Sequence, residues 1–287
     1  LSVLNMNSGL KEGDQVPSFA AEWIDRDKYR KTRAYTQRKG NFELIQFAFN
    51  SLLLIVILFL GIPGKWDLFL SDVIAGPVFR GVIFFLLFSF VMDILEIPFE
   101  VYRQFIIEEE FGFNRMSGKI WLTDKLKGAV LSLILGIPLL SILFLFMERS
   151  GELWWLYGWI TFSLFQIILS VIYPALIAPL FNKFTPLEDG ELKTSLENLA
   201  AQCGFKTRGI YLMDGSRRSG HSNAYFTGLG KSKRIVLFDT LVENLSVDEL
   251  TGVMAHEIGH FKKKHIVKRL LSSLLTTLAV FIILSLA

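Results

Sequence analysis

This chain of 287 residues has very little cysteine and almost no excess of charge of either sign. Its single cysteine, Cys203, excludes a disulfide framework, a paired-cysteine redox site and a cysteine-based zinc cluster. The 30 basic and 27 acidic residues nearly cancel to a net charge of +3, so bulk charge gives no support to a nucleic-acid partner. Hydrophobic residues, in contrast, make up 52% of the chain. That share excludes a disordered protein and indicates a membrane protein.

Four apolar runs are long enough to cross a bilayer, which takes about 20 predominantly apolar residues. They cover residues 42–63, 78–102, 128–147 and 153–181. A fifth run, 270–287, begins a further transmembrane helix. The apolar residues neither alternate nor keep to one face, which argues against strands and surface helices. The predicted fold class is therefore mainly α, a polytopic α-helical membrane protein with a small α/β domain inserted between spans.

The distribution of basic residues predicts how the chain lies in the membrane. Lysine and arginine number eight in the polar N-terminal segment 1–41, five in 103–127 and fourteen in 181–269. The loop between the first and second spans and the loop between the third and fourth carry one basic residue each, Lys65 and Arg149, and Arg80 lies just inside the second span. Because basic loops tend to face the cytoplasm, the segment 182–269 is predicted to be a cytoplasmic domain.

The second span carries two acidic residues, Asp93 and Glu96, which share one helical face. Ionisable groups inside a membrane usually face a bundle interior or water. One interpretation is that this pair lines a wet cavity within the membrane. The other is that it pairs with a basic residue of a neighbouring helix.

Residues 182–269 read as a small α/β domain. Its predicted elements are a helix at 188–202, strands at 210–213, 223–227 and 234–238, and a longer helix that follows them. Ser246 with Glu249 three residues later forms a capping box, which places the start of that longer helix.

The longer helix contains His256 and His260, with Glu257 beside the first of them. Histidines four residues apart project from the same side of a helix and can share one tetrahedral ion. A carboxylate at Glu257 can take a proton from zinc-bound water and pass it to a leaving amine. The pattern predicts a metallopeptidase site with one Zn²⁺ per chain, His256 and His260 as ligands and Glu257 as the general base.

The third zinc ligand has no clear candidate in the sequence. His265 lies five residues past His260, about 140° round a continuous helix, so it is expected to point away into solvent. His221 is either a ligand, a substrate contact or an ordinary surface histidine. We expect the third ligand to be a Glu beyond Ala287.

A short strand bounded by Gly220 and Gly228 contains Ser222, Asn223, Ala224 and Tyr225. In metalloproteases an exposed edge strand can bind an extended peptide by main-chain pairing beside the metal. The alternative is an ordinary edge strand of a small sheet.

Several segments resemble the integral-membrane zinc CAAX prenyl endopeptidases, a family that includes the yeast a-factor-converting enzyme and the human prelamin-processing enzyme. They are IEEEFGFN (107–114), IAPLFNKFTPL (177–187), SGHSNAYF (219–226) and KRIVLFDTL (233–241), together with the HEIGH motif. The similarity covers about residues 25–285. Two departures, the polar stretch 1–24 and the missing Glu-x-x-x-Asp motif of the third ligand, indicate a truncated chain. They imply that residues 1–287 alone bind zinc weakly and are inactive. The short connection after Leu241 favours a bacterial homologue.

The resemblance implies a zinc endopeptidase that removes the C-terminal tripeptide after a prenylated cysteine. It assigns Ser222, Asn223, Ala224 and Tyr225 to substrate binding, and it makes Asp93 and Glu96 candidates for lining a water-filled chamber. Its partners would be a peptide or protein substrate and the lipid bilayer, in the cell inner membrane of a bacterium or the endoplasmic reticulum of a eukaryote. The alternatives are an HtpX-type quality-control protease and a non-catalytic transporter or scaffold.

Overall fold

Helices dominate the computed structural model, which describes Val16, Glu22 and residues 25–205, 207–227 and 233–286. The longer ones are α1 (Arg26–Phe59), α2 (Ile62–Val73), α3 (Pro77–Tyr102), α4 (Gly118–Arg149), α5 (Trp154–Ile172), α6 (Glu191–Gln202), α7 (Asp239–Asn244), α8 (Val247–Lys262) and α9 (His265–Ser285). Of these, α1, α3, α4, α5 and α9 belong to segments long and apolar enough to cross a bilayer. The mainly α, polytopic fold class is confirmed.

The first and third of these spanning segments begin well before their apolar runs, because polar residues cap them. The Asp25 carboxylate accepts the backbone N–H groups of Asp27 and Lys28, which starts α1. In the same way the Ser117 hydroxyl accepts the Ile120 N–H at the start of α4. Hydropathy alone identifies the apolar middle of such a helix, because the polar turns at its start lie outside the apolar run.

Two spanning segments contain a π-helical turn near one end. In the first, α3 passes through Arg103–Ile107 into a short helix at Glu108–Glu110. In the second, α5 passes through Tyr173–Ile177 into Ala178–Phe181. A π turn inserts an extra residue into the helical ladder and shifts the side chains that follow.

The chain forms two compact units, and the first comprises residues up to Ala75 together with Phe84–Asn114. Its buried cluster contains Phe42, Ile107 and Phe111. The Tyr35 ring packs edge-on against Phe111 at 5.2 Å between ring centroids, and its hydroxyl donates to the Glu108 carboxylate at 2.7 Å.

The second unit comprises Gly76–Ile83 and Arg115–Ala287, and its membrane portion is built around α4, α5 and α9. Gly158 allows α5 and α9 to approach closely, because a Cβ atom there would lie 2.8 Å from the Phe281 ring. Next to it the Trp159 indole donates to the Leu274 carbonyl at 3.1 Å. Small residues at the contact and hydrogen bonds between helices are typical of helix packing in membranes.

The second unit also carries a mixed four-stranded sheet. Its strands are β1 (Phe184–Pro186), β2 (Ile210–Met213), β3 (Ala224–Thr227) and β4 (Arg234–Phe238), in the spatial order β1-β2-β4-β3. β2 and β4 run parallel, with Ile210 opposite Ile235, while β1 and β3 pair antiparallel at the two sides. β3 is therefore an edge strand of the sheet that the described residues form.

Helices α6, α7 and α8 supply the hydrophobic core of this domain together with the sheet. The buried residues are Leu196, Ala200, Phe205, Ile210, Ala224, Ile235, Leu237, Leu241, Leu250 and Met254. The predicted α/β domain is confirmed in its three strands and two helices. β1 was not foreseen, because a strand of three residues ending at Pro186 has no alternating pattern. The domain boundaries proposed from the sequence stay predictions.

Candidate metal centre

The helix α8 places its histidines on the face opposite the core. Its start is fixed by the predicted capping box, in which the Ser246 hydroxyl accepts the Glu249 N–H and the Glu249 carboxylate accepts the Ser246 N–H. Leu250, Met254 and Ile258 are buried, and the first two belong to the hydrophobic core that the helices share with the sheet. With that face fixed, the remaining side of α8 is left open to solvent.

On the open side the two predicted zinc ligands lie together. The Nε2 atoms of His256 and His260 are 3.1 Å apart, and the ring centroids are 4.8 Å apart. Glu257 completes a group whose possible ligand atoms all lie within 4.8 Å of one another. Among the histidine, cysteine, aspartate and glutamate residues that the structure describes, these three form the group that could hold a metal ion.

The spacing of the two ring nitrogens can be compared with the requirement of zinc. Tetrahedral coordination with Zn–N bonds of about 2.0–2.1 Å separates two ligand nitrogens by about 3.4 Å. The observed 3.1 Å is close to that edge length. Imidazole nitrogens are also among the ligands that zinc prefers. The residues present therefore fit a zinc ion, whereas the third ligand expected beyond Ala287 stays a prediction.

The expectation that His265 points away from the pair is wrong. Its Nδ1 atom lies 2.7 Å from Nδ1 of His260. The expectation assumed one continuous helix, but α8 ends at Lys262 and α9 begins at His265 after Lys264 takes a left-handed conformation with φ 55°. This break turns the His265 ring back towards α8. The His221 side chain, in contrast, does not belong to the metal-binding group found among the described residues.

The residues predicted to bind substrate lie along and just before the edge strand β3. Ser222 and Asn223 are exposed, whereas Ala224 is buried in the core. The Asn223 side-chain oxygen accepts the Ala224 N–H at 2.8 Å, and the Asn223 backbone carbonyl accepts the Phe238 N–H at 3.0 Å. These bonds fix the backbone where β3 begins. The assignment of the four residues to substrate binding stays a prediction.

Tyr225, the last of those four residues, is half-buried and remains a neutral phenol at physiological pH. Its ring packs edge-on against Phe238, with 6.3 Å between the centroids. Burial, reinforced by the nearby Tyr173, raises the pKa of Tyr225 to about 12.

No sequence pattern indicated an arginine, Arg218, that connects the loop before β3 to the membrane helix α4. The Arg218 guanidinium donates to both oxygens of Asp124, at 2.8 and 3.1 Å, and to the Asn182 amide oxygen at 3.1 Å. The Arg218 carbonyl also accepts the Arg115 N–H at 3.3 Å. Nothing in the sequence pairs residues 94 positions apart, so no local pattern identifies this contact.

The acidic pair of the second span divides between two environments. Glu96 is half-buried and accepts amide hydrogens from Gln46 and Asn50 of α1, both at 2.6 Å. Asp93 is exposed. The partners of Glu96 are therefore amides of a neighbouring helix, whereas one of the two interpretations of the sequence proposed a basic residue. That the pair lines a chamber stays a prediction.

Two family models match the chain in succession. The model described as CAAX prenyl protease N-terminal, five membrane helices, matches residues 8–183, and the model of peptidase family M48 matches residues 186–287. The second match contains the whole of the His256–His260 motif.

The chain is also similar to individual proteins along most of its length. It is 39% identical to CAAX prenyl protease 1 of Saccharomyces cerevisiae over 280 residues, which are 93% of this chain and 61% of that protein. It is 38% identical to a Dictyostelium discoideum homologue, covering 91% of this chain and 63% of the relative. The crystal structure of S. mikatae Ste24p superposes with a TM-score of 0.86 at 37% identity, covering 98% of this chain and 69% of that one. The chain thus spans about three fifths of the length of these curated relatives.

Proposed function

Since this chain belongs to the CAAX prenyl proteases of peptidase family M48, we propose that it is a membrane-embedded zinc endopeptidase. The observation that carries the proposal is the arrangement on α8, where two imidazole Nε2 atoms lie 3.1 Å apart beside Glu257. A transporter or scaffold needs no such arrangement, and the proposal gives each of these three side chains a chemical task.

His256 and His260 would hold the zinc ion through their Nε2 atoms. Zinc in such a site lowers the pKa of water towards neutrality and polarises a carbonyl. The buried side of α8 supports the ligands, because Met254 and Ile258 are at most 1% exposed and keep the helix from rotating. A rigid supporting element of this kind preserves the separation of the two rings.

Glu257 is the proposed general base. Its carboxylate accepts a proton from the attacking water and later donates it to the amine nitrogen of the leaving peptide. Because Glu257 adjoins His256 in the chain, the base and one ligand are fixed by the same helical turn. An extended substrate would pair with the free side of β3, whose other side is bonded to β4.

The substrate class follows from the relatives, which are named CAAX prenyl proteases. We propose that this protein hydrolyses the peptide bond that follows a prenylated cysteine near the C-terminus of a protein. The catalytic domain would face the cytoplasm, on the same side as the basic segment between α3 and α4. The bacterial origin suggested by the short connection after Leu241 stays a prediction.

The decisive experiment compares the full-length protein with its Glu257→Gln variant in detergent. We expect the variant to retain about one zinc per chain while its rate of peptide cleavage falls by about 10²- to 10⁴-fold, the usual contribution of a general base. Zinc content is measured by elemental analysis and cleavage by mass spectrometry of the products.

Asp248→Asn is the matched control, since Asp248 is an exposed carboxylate in the first turn of the same helix. It should leave both zinc content and cleavage unchanged. Undiminished cleavage by Glu257→Gln would remove this residue from the mechanism, and a wild-type protein without zinc would refute the metalloprotease.

The proposed requirement for a prenyl group is tested separately. A farnesylated CAAX peptide and the same peptide without the lipid are compared at equal concentration. We expect a higher kcat/KM for the farnesylated peptide, whereas equal values would favour a quality-control protease that does not recognise a prenyl group.

A further inference from the structure

We propose that His265 is a positioning residue that fixes the tautomer and the orientation of His260 for metal binding. The inference rests on the proposed zinc site and adds a residue outside the HEIGH motif. The ring contact that carries it is the 2.7 Å separation between the Nδ1 atoms of His260 and His265, with the ring centroids 4.9 Å apart.

The contact joins two different helices through a sharp turn. Lys263 donates its N–H to the Gly259 carbonyl at 3.1 Å, and Lys264 donates to the Phe261 carbonyl at 2.8 Å. Lys264 has φ 55° and ψ 35°, a left-handed conformation that is strained for a residue with a Cβ atom. The turn is thus a defined structure held by hydrogen bonds.

Aromatic packing anchors the same turn to the catalytic domain. The Phe261 ring meets Phe205 edge-on at 4.9 Å, and the Lys233 ammonium lies 3.8 Å from the Phe261 ring centroid. Phe205 itself is 3% exposed in the core. Because these contacts fix the last turn of α8, His265, the first residue of α9, has a fixed position beside His260.

The chemical consequence concerns the single proton of a neutral imidazole. His260 faces His256 through Nε2 and His265 through Nδ1. To bind a cation through Nε2, the His260 ring must carry its proton on Nδ1, and that N–H then needs an acceptor. The Nδ1 atom of His265 is at the correct distance to accept it, so the contact selects the tautomer that zinc requires.

His265 is not itself a member of the metal-binding group. The residues whose ligand atoms lie within 4.8 Å of one another are His256, Glu257 and His260. His265 meets the side of the His260 ring that faces away from His256, as the opposite ring nitrogens show. Hydrogen bonds of this kind behind a metal-binding histidine typically account for 10- to 100-fold in metal affinity.

The test measures the zinc dissociation constant of the full-length protein by competition with a chromogenic chelator. Four variants are compared with the wild type: His265→Leu, His265→Asn, His265→Gln and Lys268→Leu. Asparagine places an acceptor oxygen where Nδ1 of histidine stands, whereas glutamine places it one bond further out. Lys268→Leu is the matched control, a polar-to-leucine change at an exposed position one turn further along α9.

We expect His265→Leu and His265→Gln to bind zinc about 10- to 100-fold more weakly, and His265→Asn to stay within about threefold of the wild type. Lys268→Leu should not change the affinity. If the leucine variant fails to fold, the asparagine and glutamine pair decides, since both are polar. Equal affinity in all the proteins, or equal loss in the asparagine and glutamine variants, overturns the inference. A wild-type protein that binds no zinc refutes the proposed metal centre as well, whereas zinc binding with a flat series refutes only the role of His265.

Discussion

At the scale of single residues, Gly215 shows how closely the loop before β3 approaches the sheet. A Cβ atom at this position would lie 2.5 Å from Cδ2 of Phe238. The backbone around it is fixed, since the Ser216 N–H donates to the Asp239 carboxylate at 2.8 Å. Gly215→Ala should therefore lower the free energy of unfolding by about 1–3 kcal/mol, measured by denaturant titration in micelles.

Gly252→Ala provides the comparison for this prediction. Gly252 lies inside α8, and a Cβ atom there would have no neighbour within 4 Å. The same chemical change should stabilise the protein by about 0.5–1 kcal/mol, because alanine is the better helix former. Destabilisation of similar size by both substitutions would show that the close contact at Phe238 is not the cause.

The capping box predicts a pH dependence at another single residue. Hydrogen bonds from the Ser246 backbone and hydroxyl hold the pKa of Glu249 below its ordinary value of 4.5. A carboxyl group with a lowered pKa in the folded state stabilises the protein fully above its ordinary pKa and loses this effect as the pH falls through the folded-state value.

The measurement compares the unfolding midpoint of the wild type with that of Glu249→Gln between about pH 3 and pH 7. The wild type should be the more stable protein near neutral pH, and the difference should shrink at the acid end. A difference that stays constant over this interval would contradict the assignment to the Glu249 carboxylate.

At the scale of elements, a charged pair joins α4 to the loop before β3. The side chains of Arg218 and Asp124 are 16% and 19% exposed, and two parallel hydrogen bonds join them. Removing one partner of a largely buried pair leaves an uncompensated charge, so Asp124→Asn should cost about 3 kcal/mol. Substituting both residues with neutral ones should cost less than the sum of the two single changes, which a double-mutant cycle measures.

The ion pair of Lys193 and Asp189 serves as the contrast. It joins the residue two positions before α6 to the first turn of that helix, and the Asp189 side chain is 95% exposed. Because water and salt screen such a pair, Asp189→Asn should have no measurable effect on unfolding. A loss as large as that of Asp124→Asn would mean that exposure does not determine the strength of these pairs.

The elements themselves divide by how local their determinants are. The spanning helices were predictable because their own residues carry the hydropathy signal. The start of α8 was predictable because the Ser246–Glu249 capping box lies in its first turn. The π turns and the break at Lys264 were not, since no glycine or proline marks Lys264 and its conformation is set by packing around Phe261. The error over His265 therefore came from extending helical periodicity across an unmarked break.

At the scale of the whole molecule, the orientation in the membrane is open to a direct test. Cys203 is the single cysteine of the chain and is half-buried at the end of α6 in the proposed cytoplasmic domain. A membrane-impermeant maleimide should label it in inverted vesicles, whose cytoplasmic side faces outwards, and not in right-side-out vesicles. The adduct is measured by its shift in electrophoretic mobility.

A second variant of this protein places a cysteine on the opposite side of the membrane. Ser150 lies between α4 and α5, so Ser150→Cys in a Cys203→Ser background should reverse the labelling pattern. Labelling of both proteins from the same side would be incompatible with an odd number of crossings between the two positions.

The family and the proposed chemistry could be predicted from the sequence because their signals are short. His256, Glu257 and His260 lie within five consecutive positions, and a capping box marks the start of the helix that carries them. Contacts that close over long separations, such as those of Arg218 with Asp124 or of Glu96 with Gln46, depend on how the helices pack. Sequence patterns within one element carry no information about them.

The π turn at Tyr173–Ile177 also limits which insertions and deletions the protein can accept during evolution. Loss of one residue there would restore a regular α-helix and rotate everything beyond it by about 100°. Leu180 would then move away from the Lys127 ammonium, which now donates to its carbonyl at 2.7 Å. Homologues of this protein should therefore keep the length of the segment 173–177 even where its side chains are substituted.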